Sequence, residues 1–341
     1  MLKFNVDNTW IKSSLHCHSR ASDGMLDPKE VAQHYLSRGY HLVIITDHNK
    51  ITTGYGDRPD MMFMPGVEIS KGKTQLGGDY HIVALGVDDP AIINLASPQE
   101  VIDEVNAAGG VAIIAHPYWS GLVHEDLTAL SRYVGVEIYN TGCEVEVAKG
   151  YSTVHWDDLI SSGIKTWGFA VDDAHRYSRP PIDTDGGWVW IKASEMNQKA
   201  VMDSLKSGCF YSSMGPAISR LEMSESSIHV EMTPVARVNI VSRNGTGLSI
   251  ELSQLIKLIE MWKEQGVRRY LGAELQNLEK VEKKGLTKIF LTGGNIMLEV
   301  TFDKKGLRLM DIKAKFDYQY MRLEAIDQQG RKAWANPFLV R

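Results

Sequence analysis

Histidines and carboxylates recur in this 341-residue chain at spacings suited to holding metal ions. His16 and His18 stand at the end of an expected strand over residues 10–15. Side chains alternate along a strand, so the two imidazoles point the same way and form half of a metal site. Asp23 adds a hard oxygen donor at the start of the following loop. A His-x-His pair by itself is common without a metal, so the weight rests on recurrence. His48, His116 and His175 each end or follow an apolar run, Glu68 follows another, and His81 lies near the start of a further one. Mixed imidazole and carboxylate donors suit zinc, manganese or iron, and a thiolate set is absent. Cys17 sits between His16 and His18 and should therefore point away from them, as a small buried hydrophobe.

The elements that must position these donors are legible from pattern. Asp27-Pro28-Lys29-Glu30 and Ser97-Pro98-Gln99-Glu100 each open a helix with a cap, a proline at the first turn and a capping-box glutamate. Gly39 and Gly109 stop those helices. His34 falls inside the first and is expected to be a partly exposed helical residue rather than a ligand. Apolar runs over residues 41–46, 62–67, 80–85, 111–115, 134–139 and 166–171 read as buried strands. Strands alternating with helices suit βαβ units and a parallel sheet, whose carboxyl ends gather function on one face.

The set His16-x-His18, Ser22-Asp23-Gly24, Thr46-Asp47-His48-Asn49, Gly66-Val67-Glu68, His81, His116-Pro117 and Asp173-Ala174-His175 resembles the PHP family, the polymerase and histidinol phosphatase superfamily of metal-dependent phosphoesterases. That resemblance implies an α/β fold, a distorted (β/α)7-type barrel with its site at the carboxyl ends of the strands. It also implies two to three divalent metal ions. His16, His18, Glu68 and Asp173 would hold one; Glu68 would bridge to a second, completed by His81 and His116; Asp23, His48 and His175 would hold a third. Ions ~3.5–4 Å apart can share a water, lower its pKa and present hydroxide as the nucleophile. A finer resemblance, through His116-Pro117-Tyr118-Trp119, Glu137-Ile138-Tyr139-Asn140, Trp156-Asp157 and Gly187-Trp188-Val189-Trp190, is to the branch that includes carbaryl-type carbamate hydrolases. Arg20 and Arg176 adjoin ligand positions and are the expected grips for a substrate phosphate.

Residues 1–217 are expected to form the hydrolase domain and residues 218–341 a β-rich accessory domain with a helical insertion. A strong amphipathic helix is expected over 252–264, a second helix over 279–284, and a turn at Asn244-Gly245. The net charge of −5 argues against an extended nucleic-acid groove. No membrane span is expected, and three widely spaced cysteines form no disulfide framework, which fits a cytoplasmic protein. Three functions remain open: hydrolysis of a small phosphoester, hydrolysis of a carbamate, ester or amide at the same metals, and non-catalytic metal binding in a regulatory or scaffold protein.

Overall fold

The computed structural model describes residues 2–4, 9–55, 60–265 and 269–340. Two compact units divide the chain, one spanning 8–214 and the other 215–341 with the first few residues.

In the first unit, β2 (Thr9–Ser14), β3 (Leu42–Val43) and β4 (Met62–Phe63) pair in parallel. A second sheet runs in order through β5 (Gly66–Lys73), β6 (Asp79–Leu85), β7 (Val111–Ile114), β8 (Gly135–Asn140) and β9 (Trp167–Val171). Here the expected parallel order holds for β7, β8 and β9 only, because β6 lies antiparallel to both neighbours. The link from β5 to β6 is a tight turn in which Thr74 N–H donates to Gly78 O (2.9 Å), too short for a crossover. On the other sheet, β10 (Trp188–Ala193) adds antiparallel to β2, and β11 (Phe210–Ser213) to β10.

Helices follow the capping signals. In α1 (Pro28–Leu36) Glu30 accepts from the N–H of Asp27, and in α2 (Pro98–Ala107) Ser97 accepts from the N–H of Glu100. His34 of α1 is buried against Thr184 (3.2 Å) rather than partly exposed. The short α3 (Pro117–Ser120) and α5 (Thr141–Val147) follow strand ends, α4 (His124–Thr128) comes after α3, and α6 (Thr153–Ser161) and α7 (Gln198–Ser207) complete the cover. One buried core draws on both sheets and α7, through Ile11, Leu42, Val83, Ile113, Phe169 and Leu205. Cys17 packs in a second core with Val31, Tyr35 and Tyr177. Parallel bridges Cys17↔Ala174 and His48↔Glu68 join the two sheets, Cys17, Ala174 and His48 lying past their strands' ends and Glu68 near the start of β5. Among the described residues the ladder does not close into a barrel; the unit is two α/β sheets meeting at these bridges.

The second unit is β-rich. Strand β1 (Leu2–Phe4), expected in the first domain, pairs antiparallel with β12 (Ile218–Ser224) instead. It edges a seven-stranded antiparallel sheet that also contains β13 (Ser227–Val235), followed beyond β13 by four strands between 277 and 313. Residues 279–284, expected as a helix, lie mostly in a strand, Asn277–Lys283, which pairs with Leu286–Gly293. Lys284 (φ 50°) and Gly285 (φ 78°) turn that hairpin in the left-handed region, and the two-residue connection overrides local helix propensity. The helix expected over 252–264 is present as Leu252–Gln265.

Candidate metal centre

His16 and His18 follow β2, and the bridge beside them places them against the end of β9: Asp173 N–H donates to His16 O (3.0 Å), and His18 N–H to Ala174 O (2.9 Å). Gly24 lets the loop after His18 fold back, since a Cβ there would stand 2.3 Å from the His18 carbonyl oxygen. Two further donors leave their strands through strained backbone, His116 at φ 27° and Asp173 at φ 53°. Such conformations cost about 1–3 kcal/mol each and persist where surrounding structure holds them.

Four donor atoms converge. His16 Nε2 lies 3.2 Å from His18 Nε2, 3.3 Å from Glu68 Oε2 and 3.2 Å from Asp173 Oδ1. His18 Nε2 lies 3.3 Å and 3.1 Å from the same two oxygens. Both oxygens are buried, and among the described residues neither accepts a hydrogen bond of good geometry; each faces imidazole nitrogens instead. Donors at the corners of a tetrahedron about 2.0–2.1 Å from a zinc-sized ion stand roughly 3.3–3.4 Å apart, so this set has the spacing an ion requires. Glu68 also faces outward: its Oε1 is 2.7 Å from His81 Nδ1 and 3.2 Å from His116 Nε2, and its Oε2 is 3.0 Å from His48 Nδ1. A third group gathers at the rim, where Asp23 lies 3.6 Å from His48 Nε2, 3.5 Å from His175 Nε2 and 3.6 Å from His18 Nδ1. All nine expected donors are thus brought together, and three subsets of them could each hold an ion.

The charges reinforce one another. Burial disfavours charge on every group here, yet the close, charged oxygens of Asp173 and Glu68 outweigh it at His18 and raise its pKa to about 9. At Glu68, burial is likewise overcome, by the charge of His16 and by the close imidazoles of His116, His16 and His18, which hold the carboxyl well below the usual range. Asp173 is held low in the same way, against burial, by His16 and His18. Without a cation, then, this many buried carboxylates are balanced by protons on imidazole.

A cavity of about 400 Å³ opens above the cluster, lined by seven of the nine donors, while His16 and His18 lie fully buried beneath. Arg176 lines the cavity and is ion-paired with Glu146. Arg20 does not line it: its side chain is 60% exposed, pairs with Asp27 (3.0 Å) and donates to Met25 O (2.7 Å).

Three buried carboxylates orient the donors. Glu137 accepts through Oε1 from His16 Nδ1 (2.6 Å) and through Oε2 from the His116 N–H (2.8 Å) and Asn140 Nδ2 (3.0 Å). Asn140 Nδ2 also donates to Asp173 Oδ2 (3.1 Å). Asp47 accepts from Ser19 N–H (2.7 Å), Ser19 Oγ (2.7 Å) and Ser22 Oγ (2.8 Å), tying the loop of Asp23 to the strand end of His48. Asp183 accepts the N–H groups of His175 (2.8 Å), Arg176 (2.7 Å) and Tyr177 (2.7 Å). In the sequence none of the three is marked for this role: Glu137 and Asp47 stand inside the strand-end motifs, and Asp183 is no more than an acid near His175.

No family model matches the chain. It is similar to an uncharacterized protein of Methanocaldococcus jannaschii, 26% identical over 165 residues, covering 45% of this chain and 88% of that one. It is also similar to a 5′-3′ exoribonuclease of Haemophilus influenzae, 33% identical over 104 residues (28% of this chain, 37% of that protein). A 3′,5′-nucleoside bisphosphate phosphatase of Chromobacterium violaceum is 38% identical over 86 residues (23% and 29%). The match therefore spans only about a third of each of the two relatives with a named activity. Among solved structures, a two-domain protein of Bacteroides vulgatus, described as containing a predicted PHP-like metal-dependent phosphoesterase, aligns with a TM-score of 0.52 at 13% identity, covering 99% of this chain and 96% of that one. At that identity the likeness is one of fold.

Proposed function

We propose that this chain is a metal-dependent hydrolase of small phosphoesters, with two or three divalent ions held by the nine donors. The observation that carries the reading is the convergence of His16, His18, Glu68 and Asp173, with a buried oxygen of each carboxylate facing the imidazole nitrogens yet accepting no well-formed hydrogen bond, an arrangement a cation completes. In this reading the two sheets are the halves of a distorted α/β barrel, interrupted where ladder gives way to bridges. Bound ions would supply charge opposite the phosphoryl oxygens and a water nucleophile near neutral pH.

The chain's own residues do the rest. Glu68 touches imidazoles on both sides and would be shared by two ion sites. Glu137 holds His16 with its Nδ1 proton outward, so Nε2 presents its lone pair to the cluster. Asp47 and Asp183 fix the two loops that bring Asp23 and His175 over the cavity. Arg176 is placed to meet a phosphate oxygen once it leaves Glu146. Arg20 has no part in this.

One observation favours a second reading, cleavage of a neutral carbamate, ester or amide. Among the residues lining the cavity Arg176 is the one arginine or lysine, and its charge is already matched by Glu146. The resemblance to carbaryl-type hydrolases points the same way.

The test is metal analysis of protein reconstituted with Mn²⁺ or Zn²⁺, followed by a panel of phosphomonoesters, phosphodiesters, carboxyl esters and carbamates. Two to three ions per chain and chelator-sensitive phosphomonoester turnover are expected. Ions without turnover of any ester would leave a metal-binding scaffold, and no ions would end both enzymatic readings.

A further inference from the structure

The metal centre accounts for the polar floor of the cavity but not for one of its walls. Trp119, on α3 three residues past His116, lines the cavity with 41% of its surface exposed. Its ring meets those of His116 and His81 nearly at right angles, with centroids 5.0 Å and 5.8 Å away. Those contacts fix the indole's position and leave much of it bare. Its neighbour Tyr118 is similarly exposed, but Lys149 lies over that ring, 5.4 Å from its centroid. No cation lies over Trp119 among the described residues. Met25, 37% exposed, lines the same cavity from the loop after Gly24, and Cys143 and Gly142 continue the apolar lining.

An exposed tryptophan elsewhere on a surface needs no explanation. This one stands against two of the imidazoles that would hold the reacting group, in a cavity of about 400 Å³, which falls in the range of small-molecule clefts. We infer that the substrate carries an aryl ring on its scissile oxygen, seated on the indole of Trp119, and that Trp119 determines specificity. A ring has the shape to lie on indole, where aromatic pairs gain beyond their buried area. The inference rests on the proposed function for the position of the scissile bond, whether the reacting group is phosphoryl or acyl.

Phenyl and ethyl phosphate, and phenyl and ethyl acetate, are compared in the wild type, Trp119→Ala and Trp119→Phe. Comparing the aryl-to-alkyl ratio of kcat/KM across variants cancels the better leaving ability of phenoxide. The ratio should fall about tenfold in Trp119→Ala, equivalent to roughly 1.4 kcal/mol, and recover most of that in Trp119→Phe. A ratio that stays constant in Trp119→Ala overturns the inference while leaving the hydrolase intact. If the wild type cleaves none of the four, binding decides the inference. Calorimetry with phenylphosphonate and methylphosphonate on Mn²⁺-loaded protein should then show phenyl preferred, and preferred less in Trp119→Ala. Equal binding of the two probes by the wild type overturns it.

Discussion

Replacing Glu137 by glutamine tests whether the buried carboxylate beside His16 governs metal binding. The side chain keeps its size, but one end becomes an NH₂ donor. Turned toward Oε2's partners, that NH₂ would oppose two donors, His116 N–H and Asn140 Nδ2, at 2.8 Å and 3.0 Å. Turned toward His16, it opposes only Nδ1, at 2.6 Å. The second arrangement costs less and forces the proton of neutral His16 from Nδ1 to Nε2, the atom facing Glu68, Asp173 and His18. The lost bond is charge-assisted, worth about 1.5–3 kcal/mol, so affinity for the tightest ion should drop roughly ten- to a hundredfold. Competition against a chromophoric chelator measures the affinity, and nitrogen-15 shifts of the imidazoles report the tautomer. Unchanged affinity in Glu137→Gln, together with a lowered melting temperature, would refute the reasoning and leave Glu137 a structural residue only.

Other outcomes follow from the same geometry. Glu68→Ala removes the carboxylate common to two candidate ion groups, so metal analysis should find at most one ion per chain and activity should fall more than a hundredfold. Arg176→Ala should lower kcat/KM for a phosphomonoester about tenfold or more while leaving a neutral ester nearly unaffected, and Arg20→Ala should change both by less than twofold. In chelator, stability should depend on pH through His18. Its pKa rises on folding from 6.5 to about 9, so its contribution is whole below pH 6.5 and lost as pH climbs through 9, on the order of 3 kcal/mol. Melting temperatures in chelator should therefore decline from pH 6.5 to 9.5, and saturating Zn²⁺ should oppose that decline because ligands bind it deprotonated; a flat profile in chelator would contradict this.

Strand ends carrying histidine were legible because an apolar run and the residue that terminates it are local signals. The direction of β6 was not, since a buried antiparallel strand presents the same apolar run as a parallel one. Glu137 was passed over for a related reason. It lies within the wholly buried β8, and its partner His16 is 121 residues away, so nothing adjacent in sequence marks it as paired. Arg20 shows the opposite error. Proximity to His18 in sequence suggested proximity in space, yet the loop turns so that Arg20 N–H donates to Leu26 O (2.7 Å) and its side chain leaves the site. The hairpin at Lys284-Gly285 depends on cross-strand pairing, which a charged, helix-compatible stretch does not reveal.

The donors are spread from His16 to His175, and the strand tips that carry them are stitched together by Cys17↔Ala174 and His48↔Glu68. The time at which an ion can be captured is thereby fixed. A chain still being synthesised can offer His16 and His18, but the last corner, Asp173, is added after most of the first unit has been made. Contacts this far apart in sequence form late, because chain ends must be brought together before any interaction offsets the lost freedom. Firm metal capture is therefore a finishing step of folding, and ions should dock on a nearly native unit rather than nucleate it. During refolding the metal-binding signal should trail the burial of core aromatics such as Phe169 and Trp156. A misfolded unit that failed to join its two sheets would be marked by its inability to retain metal.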